Sequence, residues 1–194
     1  MAEDTPPPIE DHADIAASER FAPVIFRGEQ WDLSHLNPFA FRSEIKPDLT
    51  VDVVVLYSCH CFTHGFEKDE RDVIPPDEVF FEGTVRRVLN RDRWQLSKVH
   101  LPNLVQQLHA GHVRVLGGAL GNYATFKGID FDGKAVTYAV FFDVKKDQKR
   151  RKRMILRVQS AYVLEEVTKR FSKAGKVNIT VLLRAVYDGR TIKP

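Results

Sequence analysis

The sequence predicts an α+β fold, with helices packed on one face of a mostly antiparallel sheet. Three observations predict it. Residues 84–110 carry apolar side chains at a loose helical spacing. From residue 112 onward the apolar positions change to a period of two. Asp132-Gly133 is a hairpin signal between two such stretches.

Residues 1–20 read as a flexible acidic arm and residues 21–194 as a single α+β domain. In the arm, Pro6-Pro7-Pro8 favours an extended chain, and Glu3, Asp4, Glu10, Asp11 and Asp14 repel one another. Part of Asp11–Arg20 is compatible with a short helix. Residues 21–48 hold Phe21, Phe26, Trp31, Phe39 and Phe41 among prolines, too many aromatics for a linker. They read as an irregular strap, with a helical turn near Asp32–His35 that Pro38 limits. Thr50–Ser58 is rich in β-branched residues and reads as a strand buried on most of both faces, hence central. Residues 67–78, charged and containing Pro75-Pro76, read as a loop.

Within residues 84–110, Asn90–Arg93 is a candidate break. Pro102 suits the first turn of a second helix, and Gly111 its stop. Strands are expected at His112–Leu116, Asn122–Ile129, Lys134–Val144 and Arg153–Tyr162. A helix is expected over Val163–Ala174 and a last strand over Val177–Tyr187. The sheet face away from the helices is expected to carry Lys127, Arg157, Gln159 and Arg184.

The 194 residues are 43% apolar and 28% charged, ordinary for a folded domain that needs no staples. The longest apolar runs, Val53–Tyr57 and Tyr138–Phe142, fall far short of the ~20 residues a bilayer demands. The first residues lack the basic and apolar pattern of a signal peptide. Cysteines one residue apart make no disulfide framework. A cytoplasmic protein is expected, with no membrane partner and no cofactor.

The charge is divided along the chain. Residues 1–80 hold 6 Lys and Arg against 17 Asp and Glu, a net −11; residues 81–194 hold 23 against 9, a net +14. Either the acidic part folds against the basic part, or the basic part meets a polyanion, of which nucleic acid is the commonest. In Lys145-Lys146-Asp147-Gln148-Lys149-Arg150-Arg151-Lys152-Arg153, seven of nine residues are cationic. They fall between two expected strands, and a polyanion relieves their mutual repulsion by displacing counterions. The plainer reading is a charged tip that prevents edge aggregation. Arg86, Arg87, Arg91 and Arg93 offer further phosphate contacts, or else a solvated helix face.

Cys59-His60-Cys61-Phe62-Thr63-His64 is the densest chemical cluster. Cys59, Cys61 and His64 are soft ligands in type, but no second pair stands at zinc-site spacing. No metal site is expected, and buried thiols are the bland alternative. His60 and His64 are also the residue type that takes the proton of a ribose 2′-hydroxyl or returns one to the leaving oxygen. Such cleavage needs cations rather than a metal, and the chain has many. Alternatively the two histidines simply pack at a strand end. Ser160 and Tyr162 share a face at period two; a bulge is needed to bring Arg157 to them. No Walker loop, nucleophile elbow or His-Glu-x-x-His motif is present.

The order of parts from Thr84 to Tyr187 resembles the toxin-type small ribonucleases, the barnase, colicin and RelE-like assemblage. That resemblance implies metal-independent action on RNA by dispersed residues. By residue type it implies catalytic roles for Arg157, Ser160 and Tyr162, joined by His60 or His64 from outside the matching stretch. The Cys59–His64 and Val158–Tyr162 segments also resemble an uncharacterised family of bacterial mobile-element proteins. The leading expectation is an RNA-interacting protein acting as a toxin-type endoribonuclease. RNA is favoured over DNA, and a protein inhibitor or acidic partner is the other partner class expected. The alternative is a binding module without chemistry that uses the basic loop, and a third is an adaptor whose halves neutralise each other.

Overall fold

A computed structural model describes residues 6–110, 113–115, 122–130, 133–164, 175–190 and 192. Its centre is a seven-stranded sheet. The contributing strands are β3 (Phe39–Lys46), β4 (Leu49–Tyr57), β8 (Val113–Val115), β9 (Asn122–Ile129), β10 (Ala135–Lys146), β11 (Arg153–Leu164) and β12 (Gly175–Val177). They stand in the order β12-β8-β9-β10-β11-β4-β3. Every pairing is antiparallel except β4 with β11, which run parallel. Two smaller sheets flank it. One is the hairpin β1 (Val24–Phe26) and β2 (Glu29–Trp31). The other joins β5 (Thr63–Gly65), β6 (Val79–Glu82) and β7 (Val85–Leu89) in the order β5-β7-β6.

The fold is α+β, as the change of apolar period implies. Val51, Val53, Val55 and Tyr57 of β4 face the main core with Met154, Leu156 and Val158 of β11. Three helices supply the other wall: α2 (Arg91–His100), α3 (Leu104–Ala110) and α4 (Ile179–Tyr187). Asn90 caps α2, its side-chain oxygen accepting the Arg93 N–H at 2.9 Å. Trp94 of α2 stacks on Trp31 at 4.5 Å between centroids, which ties the β1–β2 hairpin to the helix.

The opposite face of β4, Val54 and Leu56, meets Ile9 and Ile15. These come from the N-terminal segment Ile9–Glu19, helical turns around α1 (Ala13–Ala16). Residues 6–20, read from sequence as an acidic arm, thus lie along the sheet. Asp14 binds Arg153 through both carboxylate oxygens at 2.6 Å, and Glu19 binds Arg157 at 2.7 and 2.9 Å.

Several expected elements are corrected. The stretch 84–110 begins as strand β7, not helix; the helices start after Asn90. Residues 179–187 are helix rather than strand, because Ile179, Leu182, Leu183 and Val186 form one apolar stripe against the core. Arg184 therefore leaves the sheet face on which it was expected. The strap at 21–48 contains a hairpin and the edge strand β3. Val163 and Leu164 complete β11, and the rest of the helix expected at 163–174 lies outside the described residues.

Candidate functional site

The parallel pairing of β4 with β11 creates the site. Both strands point the same way, and Tyr57 pairs with Val158, so β4 stops while β11 runs on to Leu164. The chain after β4 turns beside this overhang. Ser58 donates its N–H to Val158 O at 3.0 Å and its hydroxyl to Gln159 O at 2.6 Å. The short helical turn Cys59–Cys61 is thereby held alongside Ser160–Tyr162. A chain leaving the carboxyl end of a strand beside a continuing neighbour opens a crevice.

An open depression results, lined by His60, Gly65, Glu67, Lys68, Arg87, Arg93, Phe141, Ser160 and Tyr162. The structure thus brings together His60, Ser160, Tyr162, Arg87 and Arg93 from the sequence candidates. Arg93 donates to the carbonyls of His60 and Thr63 at 3.1 and 3.0 Å and lies 4.8 Å over the Tyr162 ring. Phe141 stacks on the same ring at 5.4 Å. Arg87 donates to Thr63 Oγ1 at 2.7 Å, and Thr63 in turn donates to Cys59 O at 2.8 Å. Among the described residues that line the depression, two guanidinium groups and a lysine meet one carboxylate, that of Glu67.

Burial, followed by the Arg87 charge, lowers the His60 pKa, while Glu82, 3.4 Å from Nε2, opposes the shift. Burial likewise pushes the Cys59 and Cys61 thiols up to about 12, so both are neutral at pH 7. Burial also lowers the pKa of Arg93, whose neighbours Tyr162 and Cys61 oppose that.

His64 does not join the depression. Its Nε2 meets Asp69 at 3.1 Å and its Nδ1 meets Asn90 Nδ2 at 3.2 Å, so both ring nitrogens serve the loop. Arg157 is also elsewhere. The register shift at Phe141/Phe142 leaves Gln159 as an extra residue, the bulge that the spacing demanded. Ser160 pairs with Phe141 and Arg157 with Asp143, two residues along β10, so both face one side of the sheet. Yet Arg157 lines a separate hollow with Glu19, Asp143, Lys145 and Gln159, and Glu19 neutralises it.

The other cations divide. Arg86 covers the Phe66 ring at 4.2 Å, and Arg91 pairs with Glu29 at 2.6 Å. In the turn between β10 and β11, Arg153 is buried between Asp147 and Asp14, so it is a structural group rather than a phosphate contact. Arg150 reaches Asp14 and the Asp11 carbonyl, and Lys146 sits 4.0 Å over the Tyr187 ring. Lys145, Lys149, Arg151 and Lys152 are exposed. The acidic and basic halves of the chain therefore pair in part and leave part of the turn to solvent.

Sequence reasoning missed Glu67, Lys68, Phe141 and Glu82. Glu67 and Lys68 had a local signal, since Gly65 permits a fold-back. A Cβ there would collide with the Glu67 carboxylate. Phe141 and Glu82 arrive through strand pairing, which no local pattern announces. Cys61 and His64 stay apart from the group formed by Cys59, His60 and Glu82, whose donor atoms all lie within 4.8 Å of one another.

The YjaZ family model matches residues 23–187. Neither the curated proteins nor the solved structures give a match. The family match is consistent with the resemblance to an uncharacterised bacterial family and lends no support to the ribonuclease one. The chain belongs to the YjaZ family.

Proposed function

We propose that this member of the YjaZ family binds RNA across the His60 depression and cleaves it without a metal. The single observation that carries the reading is the meeting of His60, Ser160, Tyr162, Arg87 and Arg93 in one open hollow. These come from residues far apart in sequence, and the combination suits phosphodiester transfer. An imidazole accepts a proton, guanidinium groups hold a pentavalent phosphate, and an aromatic pair offers a stacking surface.

In this reading His60 takes the proton of the ribose 2′-hydroxyl. The 2′-oxygen bonds to phosphorus, and the bond to the 5′-oxygen breaks. Tyr162 protonates the departing 5′-oxygen and later regains a proton from His60 through water. The products are a 2′,3′-cyclic phosphate and a 5′-hydroxyl. Arg87 and Lys68 stabilise the charge on the phosphate. Arg93 is spent on the carbonyls of the 59–64 turn and acts by positioning His60. His64 and Arg157 have no part in the step.

The test is cleavage of labelled RNA by the full-length protein with a chelator present. Cyclic phosphate ends are expected, with no cleavage of DNA of the same sequence. His60→Ala should slow the reaction by roughly 10²–10⁴-fold, and His64→Ala should leave the chemistry in place. Undiminished cleavage by His60→Ala, or none by the unaltered protein, overturns the reading. The exposed Lys145, Lys149, Arg151 and Lys152 favour a second reading, a binding module, which salt-sensitive association without cleavage would establish.

A further inference from the structure

Cys59 and His60 sit in the turn after β4, and Glu82 ends β6. A thiol, an imidazole and a carboxylate from two separate segments thus converge, with their donor atoms all within 4.8 Å of one another. His60 Nε2 and Glu82 Oε2 are 3.4 Å apart. In a tetrahedral zinc site, bonds of about 2.0–2.3 Å place donor atoms roughly 3.3–3.8 Å apart. The His60–Glu82 pair already stands at that spacing. We propose that Cys59, His60 and Glu82 bind a zinc ion whose fourth position opens into the His60 depression.

The ligand set fits the ion in kind. Sulfur, nitrogen and oxygen donors are all accepted by zinc, and three protein ligands with an open position are the pattern of an accessible site. The surroundings hold the ligands in place. Thr63 donates to Cys59 O at 2.8 Å, and Arg87 holds Thr63 at 2.7 Å. Binding displaces the Cys59 proton to solvent. Zinc, thiolate and carboxylate then sum to zero, one unit more positive than the neutral thiol and carboxylate before binding, so no net positive charge is left to face Arg87. His60 Nε2 holds either a proton or the metal. Zinc therefore blocks the proton transfer proposed above, a consequence that rests on that reading, whereas the binding does not.

The experiment titrates metal-free, full-length protein, without RNA, with Zn²⁺ against a chromophoric chelator and with Co²⁺ by absorption. One ion per chain is expected, with a thiolate-to-cobalt charge-transfer band. Cys59→Ser should remove the band, and Glu82→Gln should weaken zinc by about tenfold or more. Cys61→Ser should keep both. Circular dichroism checks that each variant folds. Should Cys59→Ser fail to fold, Glu82→Gln, at a half-exposed side chain, decides the matter. No stoichiometric binding, a band that survives Cys59→Ser, or unchanged affinity in Glu82→Gln overturns the site. RNA cleavage that persists with one equivalent of zinc bound overturns only the blocking role.

Discussion

His35 shows how one side chain makes the fold sensitive to acid. Its Nε2 stands 2.7 Å from Ser97 Oγ, which donates its own hydrogen to Trp94 O. The ring must therefore donate from Nε2. Burial, then Lys98, lowers its pKa to about 4, with Asp32 opposing. The unfolded chain binds more protons between about pH 6.5 and 4, so stability rises with pH across that window. The full contribution, up to about 3 kcal/mol, is present above pH 6.5 and lost as pH falls toward 4. Urea unfolding at pH 7.5 and 5 should show this loss, and His35→Gln should shrink it. His12 and His100 are also lowered by burial, so part of the slope should remain. Gly65 poses a different question. A Cβ there meets the far end of the flexible Glu67 side chain. Gly65→Ala should cost less than about 1 kcal/mol in stability, because Glu67 swings away. Phosphate affinity should rise as that carboxylate leaves the depression, and calorimetry of both variants with an oligonucleotide would check it.

Among the elements, the turn between β10 and β11 depends on Arg153, which binds Asp14 and the buried Asp147 together. Removing the arginine leaves Asp147 charged and unpaired. Arg153→Ala should destabilise the protein by about 3–5 kcal/mol in denaturant unfolding, and Asp14→Asn by less. Elements were legible where one physical signal dominated. Val51, Val53, Val54 and Val55 could only be a buried strand. The misread elements had competing signals. In Ile179–Tyr187, β-branched Ile179, Thr180 and Val181 favour a strand locally, but the i, i+3, i+4 stripe of Ile179, Leu182 and Leu183 finds a core to fill. In Val85–Leu89 the apolar residues lie at the ends, and pairing with β5 and β6 decides the outcome. Neither partner is visible from the segment itself.

For the molecule as a whole, charge is the property that sequence and structure treat most differently. The sequence shows a basic C-terminal portion; the structure neutralises Arg150, Arg153 and Arg157 with acids of the N-terminal segment. Lys145, Lys149, Arg151 and Lys152 are left exposed. If single-stranded RNA reaches them, replacing all four by Gln should flatten the slope of log affinity against log salt by about 3. An unchanged slope would remove the turn from the interface. The site was half legible. His60, Ser160 and Tyr162 stood out by residue type, but their meeting depends on the parallel β4–β11 pair, and the apolar periodicity implied an antiparallel meander. The bulge turns Arg157 to the same side of the sheet as Ser160, and it is Glu19 of the N-terminal segment that holds Arg157 in a separate hollow. The stacked pair Trp31 and Trp94 has a practical side, since the chain has 2 tryptophans and both lie in that one contact. Indole emission therefore watches a single seam, where the β1–β2 hairpin meets α2. A denaturation curve followed by fluorescence will register that hairpin peeling away even while the seven-stranded sheet is intact.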